Sequence, residues 1–164
     1  PDAMHSLLSY LTKYVAQSYV ALEACLTLPF ESTFGFGYSW FLLDNMGPLS
    51  LDLWERTYPM QLESLYHYDH GIYWHTAYTW FANDVSFFGV PFVFYYLFSF
   101  FGRAWRRYLE TYNIVSFLQF MIFVKMMIYI SANNQVFQGY ETFLAFWILI
   151  FLNRISNKYK WTNK

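Results

Sequence analysis

Apolar residues fall in three runs, Val85 to Gly102, Ile114 to Ser131 and Thr142 to Leu152, separated by short polar stretches. The first two hold 18 residues each. As helix, 18 residues reach about 27 Å against a hydrocarbon core of roughly 30 Å, so each run predicts one membrane crossing. The third run is shorter; begun at Gly139 it reaches about 22 Å and crosses if further helical turns extend it or the bilayer thins. Upstream, Leu7, Leu8, Leu11, Val15, Leu22 and Leu26 recur near helical spacing, but Ser9, Lys13, Gln17 and Glu23 interrupt them. That pattern predicts an amphipathic helix on the outer face over 1–28 rather than a span. From Pro29 to Thr79 the chain carries Gly35, Gly37, Gly47, Pro48, Pro59 and Gly71 with Trp40, Trp54 and Trp74 between them, and then Trp80. These residues predict a long irregular loop with short helices, and loops of that length that are not linkers are usually functional. The expected fold is all-α: an external helix over 1–28, an external loop over 29–84, three transmembrane helices within 85–153 and a cytoplasmic tail over 154–164.

Charge sets the orientation. Seven of the ten lysines and arginines fall in two places: Arg103, Arg106 and Arg107 between the first two runs, and Arg154, Lys158, Lys160 and Lys164 after the third. Basic residues flanking spans mark the cytoplasmic side. Ten of the eleven acidic residues, all but Glu110, lie in 1–84 or in the Asn133 to Glu141 hairpin, which alternating spans place outside. The two signs agree on one topology, that of a multi-pass membrane protein.

Composition supports this. Of 164 residues, 57% are hydrophobic, 26% aromatic and 13% charged, about half the charged fraction of an ordinary soluble domain, so a soluble surface could not be covered. A net charge of −1 gives no basic surface for nucleic acid. The single cysteine, Cys25, excludes an internal disulfide and sits among small and apolar residues as a buried, inert thiol. The chain opens at Pro1 with no signal-peptide pattern and ends in a polar stretch, so it reads as the C-terminal portion of a longer protein whose upstream helices would be its partners.

The densest chemistry lies in His67-Tyr-Asp69-His70-Gly-Ile-Tyr-Trp-His75. Three imidazoles and a carboxylate offer metal ligands, yet no HExxH helix or cysteine partner accompanies them, so interfacial polar groups are the better reading of His67 and His70. His75 differs in its downstream neighbours: Tyr78, Asp84 and Gly89 stand three, nine and fourteen residues beyond it. This stretch resembles the signature of the O-antigen ligase and polymerase superfamily, with Ser86 where the ligases usually carry glycine. Pro29-Phe-Glu-Ser-Thr-Phe-Gly35-Phe-Gly37-Tyr-Ser and Ala132-Asn133-Asn134-Gln135-Val-Phe-Gln138 look like the oligosaccharide repeat-unit polymerase branch.

The resemblance implies a glycosyltransferase of the bacterial inner membrane that polymerises undecaprenyl-diphosphate-linked oligosaccharide repeat units, with no cofactor. Such an enzyme needs a base and a cation. His75 is the candidate base, Asp84 its orienting carboxylate and Arg56 the cation for the diphosphate. Trp40, Trp54, Trp74 and Tyr78 are candidate stacking platforms for sugar, and Asn133, Asn134 and Gln135 candidate partners for its hydroxyls. Each has a plainer alternative: interface anchors for the tryptophans, a pair with Asp52 or Glu55 for Arg56, a helix cap for Asp84, and hairpin closure for the amides. Lys125, in mid-span, marks either an ion pair with an absent helix or a lipid diphosphate contact. No Asp-x-Asp pair calls for a divalent metal. The rival readings are ligase-type transfer, a transporter or flippase for lipid-linked oligosaccharide, and a non-catalytic assembly subunit. The catalytic reading expects His75 and Arg56 on one external cavity.

Overall fold

A computed structural model of the chain describes residues 3–46 and 52–161. Gly47 and Pro48 of the loop, and Lys164, lie outside the described residues. The chain is all-helical, with seven helices among the described residues: α1 (Ala3–Cys25), α2 (Trp40–Met46), α3 (Tyr58–Tyr66), α4 (Ala77–Thr111), α5 (Ile114–Tyr129), α6 (Gln135–Gln138) and α7 (Tyr140–Trp161).

The central helix is longer than the hydropathy pattern implies. α4 starts at Ala77, where the Thr76 hydroxyl accepts the Thr79 amide at 3.3 Å, and runs for 35 residues, through the three arginines expected in a loop. The expected boundary at Val85 is therefore corrected by eight residues. Tyr78, Thr79, Asn83 and Asp84 lower the hydropathy of the first two turns, but a Thr-capped N-terminus and packing hold them helical. Tyr112 takes a left-handed φ of 52° and closes α4, and the Asn113 carboxamide then caps α5 through the amides of Val115 and Ser116. This tight turn lays α5 against α4, where Phe101 stacks on Phe123 at 4.9 Å and Trp105 lies 4.7 Å from Phe120.

α7 packs on α5 and is longer than the expected Thr142 to Leu152, beginning at Tyr140 and continuing to Trp161. Its Asn153 joins three helices: its side-chain oxygen accepts from Arg107 at 2.7 Å and from the Ser116 hydroxyl at 3.1 Å, and its amide donates to Gln119. α4 is the one helix among the described residues both long and apolar enough to cross a membrane; α5, at 16 residues, falls short by length. Large apolar side chains face outward along this bundle, Phe88 at 91% exposure and Phe92, Tyr96 and Phe151 each above 60%. So much exposed apolar surface is expected of a face that meets lipid or another helix. α1 is likewise apolar outward over Met4, Leu7, Leu8 and Leu11, and buries only its Ser18, Ala21 and Cys25 side.

One backbone position is strained. Ser86 interrupts α4 at φ 58°, ψ 170°, a region that glycine occupies almost alone. Ser86→Gly is expected to raise stability by about 1 kcal/mol. A thermal midpoint in detergent checks it; an unchanged or lower midpoint contradicts the strain.

Candidate functional site

The 29–39 loop is built around two side chains from the first turns of α4. Asp84 accepts from the Thr33 hydroxyl at 2.5 Å and from the backbone amides of Gly35, Gly37 and Tyr38 at 2.8, 3.0 and 2.9 Å. Its neighbour Asn83, fully buried, accepts from the Tyr58 amide at 2.9 Å and donates to the Gly37 carbonyl at 3.0 Å. A carboxylate in a ring of amides closes a turn that would otherwise leave those donors without partners. Gly37 is required here, since a Cβ at that position would lie 2.1 Å from the Thr33 hydroxyl oxygen and 2.6 Å from the Asn83 Cβ. The loop then reaches the hairpin: Ser39 donates to the Phe137 carbonyl at 2.6 Å, and the Asn134 amide donates to the Tyr38 carbonyl at 2.8 Å.

Between Trp40 of α2, Trp80 of α4, the 70–75 segment and the hairpin lies a cavity of about 200 Å³. His75, Trp40, Trp80 and Asn133 line it, together with His70, Trp74, Gln135 and Gln138. Seven buried side-chain polar atoms in the described residues have no hydrogen-bond partner, and six belong to lining residues: both ring nitrogens of His75, both indole nitrogens of Trp40 and Trp80, and the amide nitrogen and oxygen of Asn133. Buried polar atoms are almost always bonded, so partnerless atoms clustered on the residues around one cavity mark it as the candidate site.

The segment that carries the imidazoles is folded by α3. Thr57 caps its start, Pro59 lies in its first turn, and His67 ends it at φ 56°. The left-handed residue turns the chain back, so that His70 meets Glu63 through its backbone amide at 3.2 Å and its Nδ1 at 2.5 Å. That hydrogen bond lowers the Glu63 pKa and occupies Nδ1 of His70, a residue that lines the cavity. The His70 ring also lies 5.9 Å from Trp40 and 5.6 Å from Trp54. Asp69 stands nearby, its carboxylate accepting the Gly71 amide at 2.7 Å. Glu63, Asp69 and His70 bring one ligand atom each within 4.8 Å of one another, but two are bonded together and the third holds a turn. We therefore read a carboxylate–imidazole pair here rather than a metal centre.

His75 is 2% exposed, edge-on to Tyr68, and its pKa is pushed down to about 4, first by burial and then by the charge of His70. It is neutral near pH 7. Because the unfolded chain takes up this proton near 6.5 and the folded chain only near 4, folding stability is full above pH 6.5 and falls between those values. The loss amounts to about 3 kcal/mol. Thermal midpoints from pH 7 to 4.5 are expected to fall more steeply for the natural chain than for His75→Phe; parallel slopes contradict this burial.

Of the residues expected from sequence, His75, Trp40, Trp74, Asn133 and Gln135 share the cavity. Trp54 stands behind it, edge-on to Trp40 at 5.8 Å. The remaining five are elsewhere. Asp84 does not orient His75 or cap the helix, because its carboxylate is taken by the loop amides. Arg56 does not meet His75: its guanidinium lies over the Phe34 ring at 5.5 Å, and among the described residues it forms no ion pair with Asp52 or Glu55. Tyr78 packs on Phe94 and lines an apolar groove with Leu22 and Phe87. Asn134 closes the hairpin through its bond to the Tyr38 carbonyl. Lys125 lies outside the cavity and has no acidic partner among the described residues. Sequence reasoning missed Glu63 as a partner for His70, Asn83 as a hinge of the loop, and Trp80 as a cavity wall. Only the spacing of Thr76 and Thr79, which caps α4, signalled the early helix start that places Trp80.

Comparison of the chain with protein-family models, with curated proteins and with solved structures finds no match.

Proposed function

We propose that the chain is part of a multi-pass bacterial inner-membrane glycosyltransferase that polymerises undecaprenyl-diphosphate-linked oligosaccharide repeat units into O-antigen or related surface polysaccharide. The carrying observation is a cavity lined by indole rings, imidazoles and side-chain amides, with six partnerless buried polar atoms clustered on its lining residues. Indole faces beside amide and imidazole groups suit a sugar, which offers apolar C–H faces and a ring of hydroxyls that both donate and accept. Among the described residues no lysine or arginine lines the cavity. A neutral sugar unit therefore fits it better than the diphosphate, and the cation role of Arg56 is set aside.

Three further observations support the reading. Ser86 takes a glycine-like backbone at the position where the resembling ligases carry glycine. The cavity lies at the end of α4 opposite Arg103 and Arg107, which puts it outside if the basic end is cytoplasmic. The exposed apolar faces of α4, α5 and α7 suit three crossings, the shorter α5 at about 24 Å needing a locally thinned bilayer. A transporter would need polar walls along the middle of the bundle, where the grooves beside α4 are lined mainly by apolar side chains.

In this reading the acceptor hydroxyl forms a new C–O bond at the anomeric carbon as the bond to the lipid diphosphate breaks. The leaving electron pair goes with the diphosphate, and the hydroxyl proton passes to His70 Nε2. Glu63 holds the opposite ring nitrogen and stabilises the imidazolium that forms. Burial makes the His75 ring a weaker base than a free imidazole, so the proton is assigned to His70 and His75 is a wall of the site. The test is the length distribution of surface polysaccharide in cells that carry cavity variants at matched membrane abundance. Collapse of the repeat ladder to a single unit supports polymerisation, and an unchanged ladder overturns it.

A further inference from the structure

We propose that the basic end of the bundle holds a second site, for the phosphate head group of an anionic phospholipid, independent of the sugar cavity. A cavity of about 220 Å³ opens there between α4, α5 and α7. Arg103, Arg107 and Arg154 line it with Gln119 and Asn153, and no acidic residue does. Glu110 is the one acid in the sequence between Asp84 and Glu141, and it is already bound to Arg106 at 2.8 Å, outside this cavity. Three arginine side chains therefore line one cavity with no acidic residue beside them among the described residues. Arg107 is held in place, donating to the Asn153 carbonyl at 3.2 Å and to its side-chain oxygen at 2.7 Å. Fixed guanidinium forks match phosphate oxygens in pairs, which a single surface lysine does not.

The cavity does not end at the charges. It shares Phe100, Arg103 and Ile150 with an apolar groove of about 440 Å³ that continues between α4 and α7 past Leu97, Val93 and Trp147. A basic mouth opening into an apolar groove fits a molecule with a phosphate at one end and an acyl chain at the other. A free phosphate would use only the mouth, and a neutral lipid only the groove. Basic pockets between membrane helices on the cytoplasmic side are where anionic head groups settle.

The test is native mass spectrometry of the full-length protein in detergent, titrated with dioleoyl phosphatidylglycerol, with dioleoyl phosphatidylcholine, and with phosphatidylglycerol in the presence of millimolar inorganic phosphate. The anionic lipid is expected to be retained about tenfold over the zwitterionic one, and phosphate not to displace it. Arg103 and Arg154 are exposed, so R103Q/R154Q leaves the packing intact and is expected to abolish the preference, while Arg106→Gln keeps it. Equal retention of the two lipids by the natural protein overturns the proposal even if the double variant fails to fold. Retained preference in R103Q/R154Q also overturns it, and displacement by phosphate reassigns the mouth to a free anion.

Discussion

Asp84→Ala is expected to lower the thermal midpoint of the protein in detergent by roughly 6 to 12 °C. The substitution removes the acceptor of three backbone amides, those of Gly35, Gly37 and Tyr38, while the Thr33 hydroxyl keeps the Asn83 carbonyl at 2.8 Å. Hydrogen bonds to a charged group contribute more than neutral ones, and donors left without partners add their desolvation cost, about 3 kcal/mol together. Asp84→Asn keeps an acceptor oxygen without the charge and should fall between the two. Loop opening is the physical event, so protease cleavage within 29–39 should rise in step with the midpoint shift. A shift below about 2 °C would mean that the loop is held by its apolar contacts instead.

His70→Ala carries the largest expected effect on activity: repeat-unit polymerisation slows by about a hundredfold or more if its ring takes the acceptor proton. Glu63→Gln keeps the imidazole but loses the charge beneath it, and about tenfold is the expected cost. A merely structural role is separated by binding. A base contributes to the chemical step, so both variants should hold the acceptor sugar within a few-fold of the natural affinity while turnover collapses. Loss of binding in proportion to rate would make His70 a wall of the cavity and no more.

These two residues show what the sequence carried and what it hid. The apolar runs marked the helices of the bundle, because the middle turns of α4, α5 and α7 carry mostly apolar side chains. Their ends were hidden, because Thr76, Asn113 and Tyr112 set them by capping and by a left-handed turn, which hydropathy does not register. His75 stood out by its spacing to Tyr78, Asp84 and Gly89, and it does line the cavity. The same spacing suggested a His75–Asp84 pair, but His75 precedes the helix cap and Asp84, in the eighth position of α4, is bonded to the glycine loop. The Glu63–His70 pair was hidden for the opposite reason: seven residues of sequence are folded into contact by His67 at positive φ, and nothing in the residue types announces that turn. Arg56 was chosen as the only arginine outside, a criterion of charge without position, and it stacks on Phe34 away from the cavity.

The central claim is that the cavity between Trp40, Trp80, His75 and Asn133 holds a sugar. Tryptophan fluorescence of the full-length protein in detergent, titrated with the repeat-unit oligosaccharide freed of its lipid diphosphate, tests it most directly. A saturable change is expected, which Asn133→Leu should weaken by about tenfold, the effect of losing one side chain that both donates and accepts from a buried polar site. A response that never saturates, or one that Asn133→Leu leaves unchanged, would contradict it.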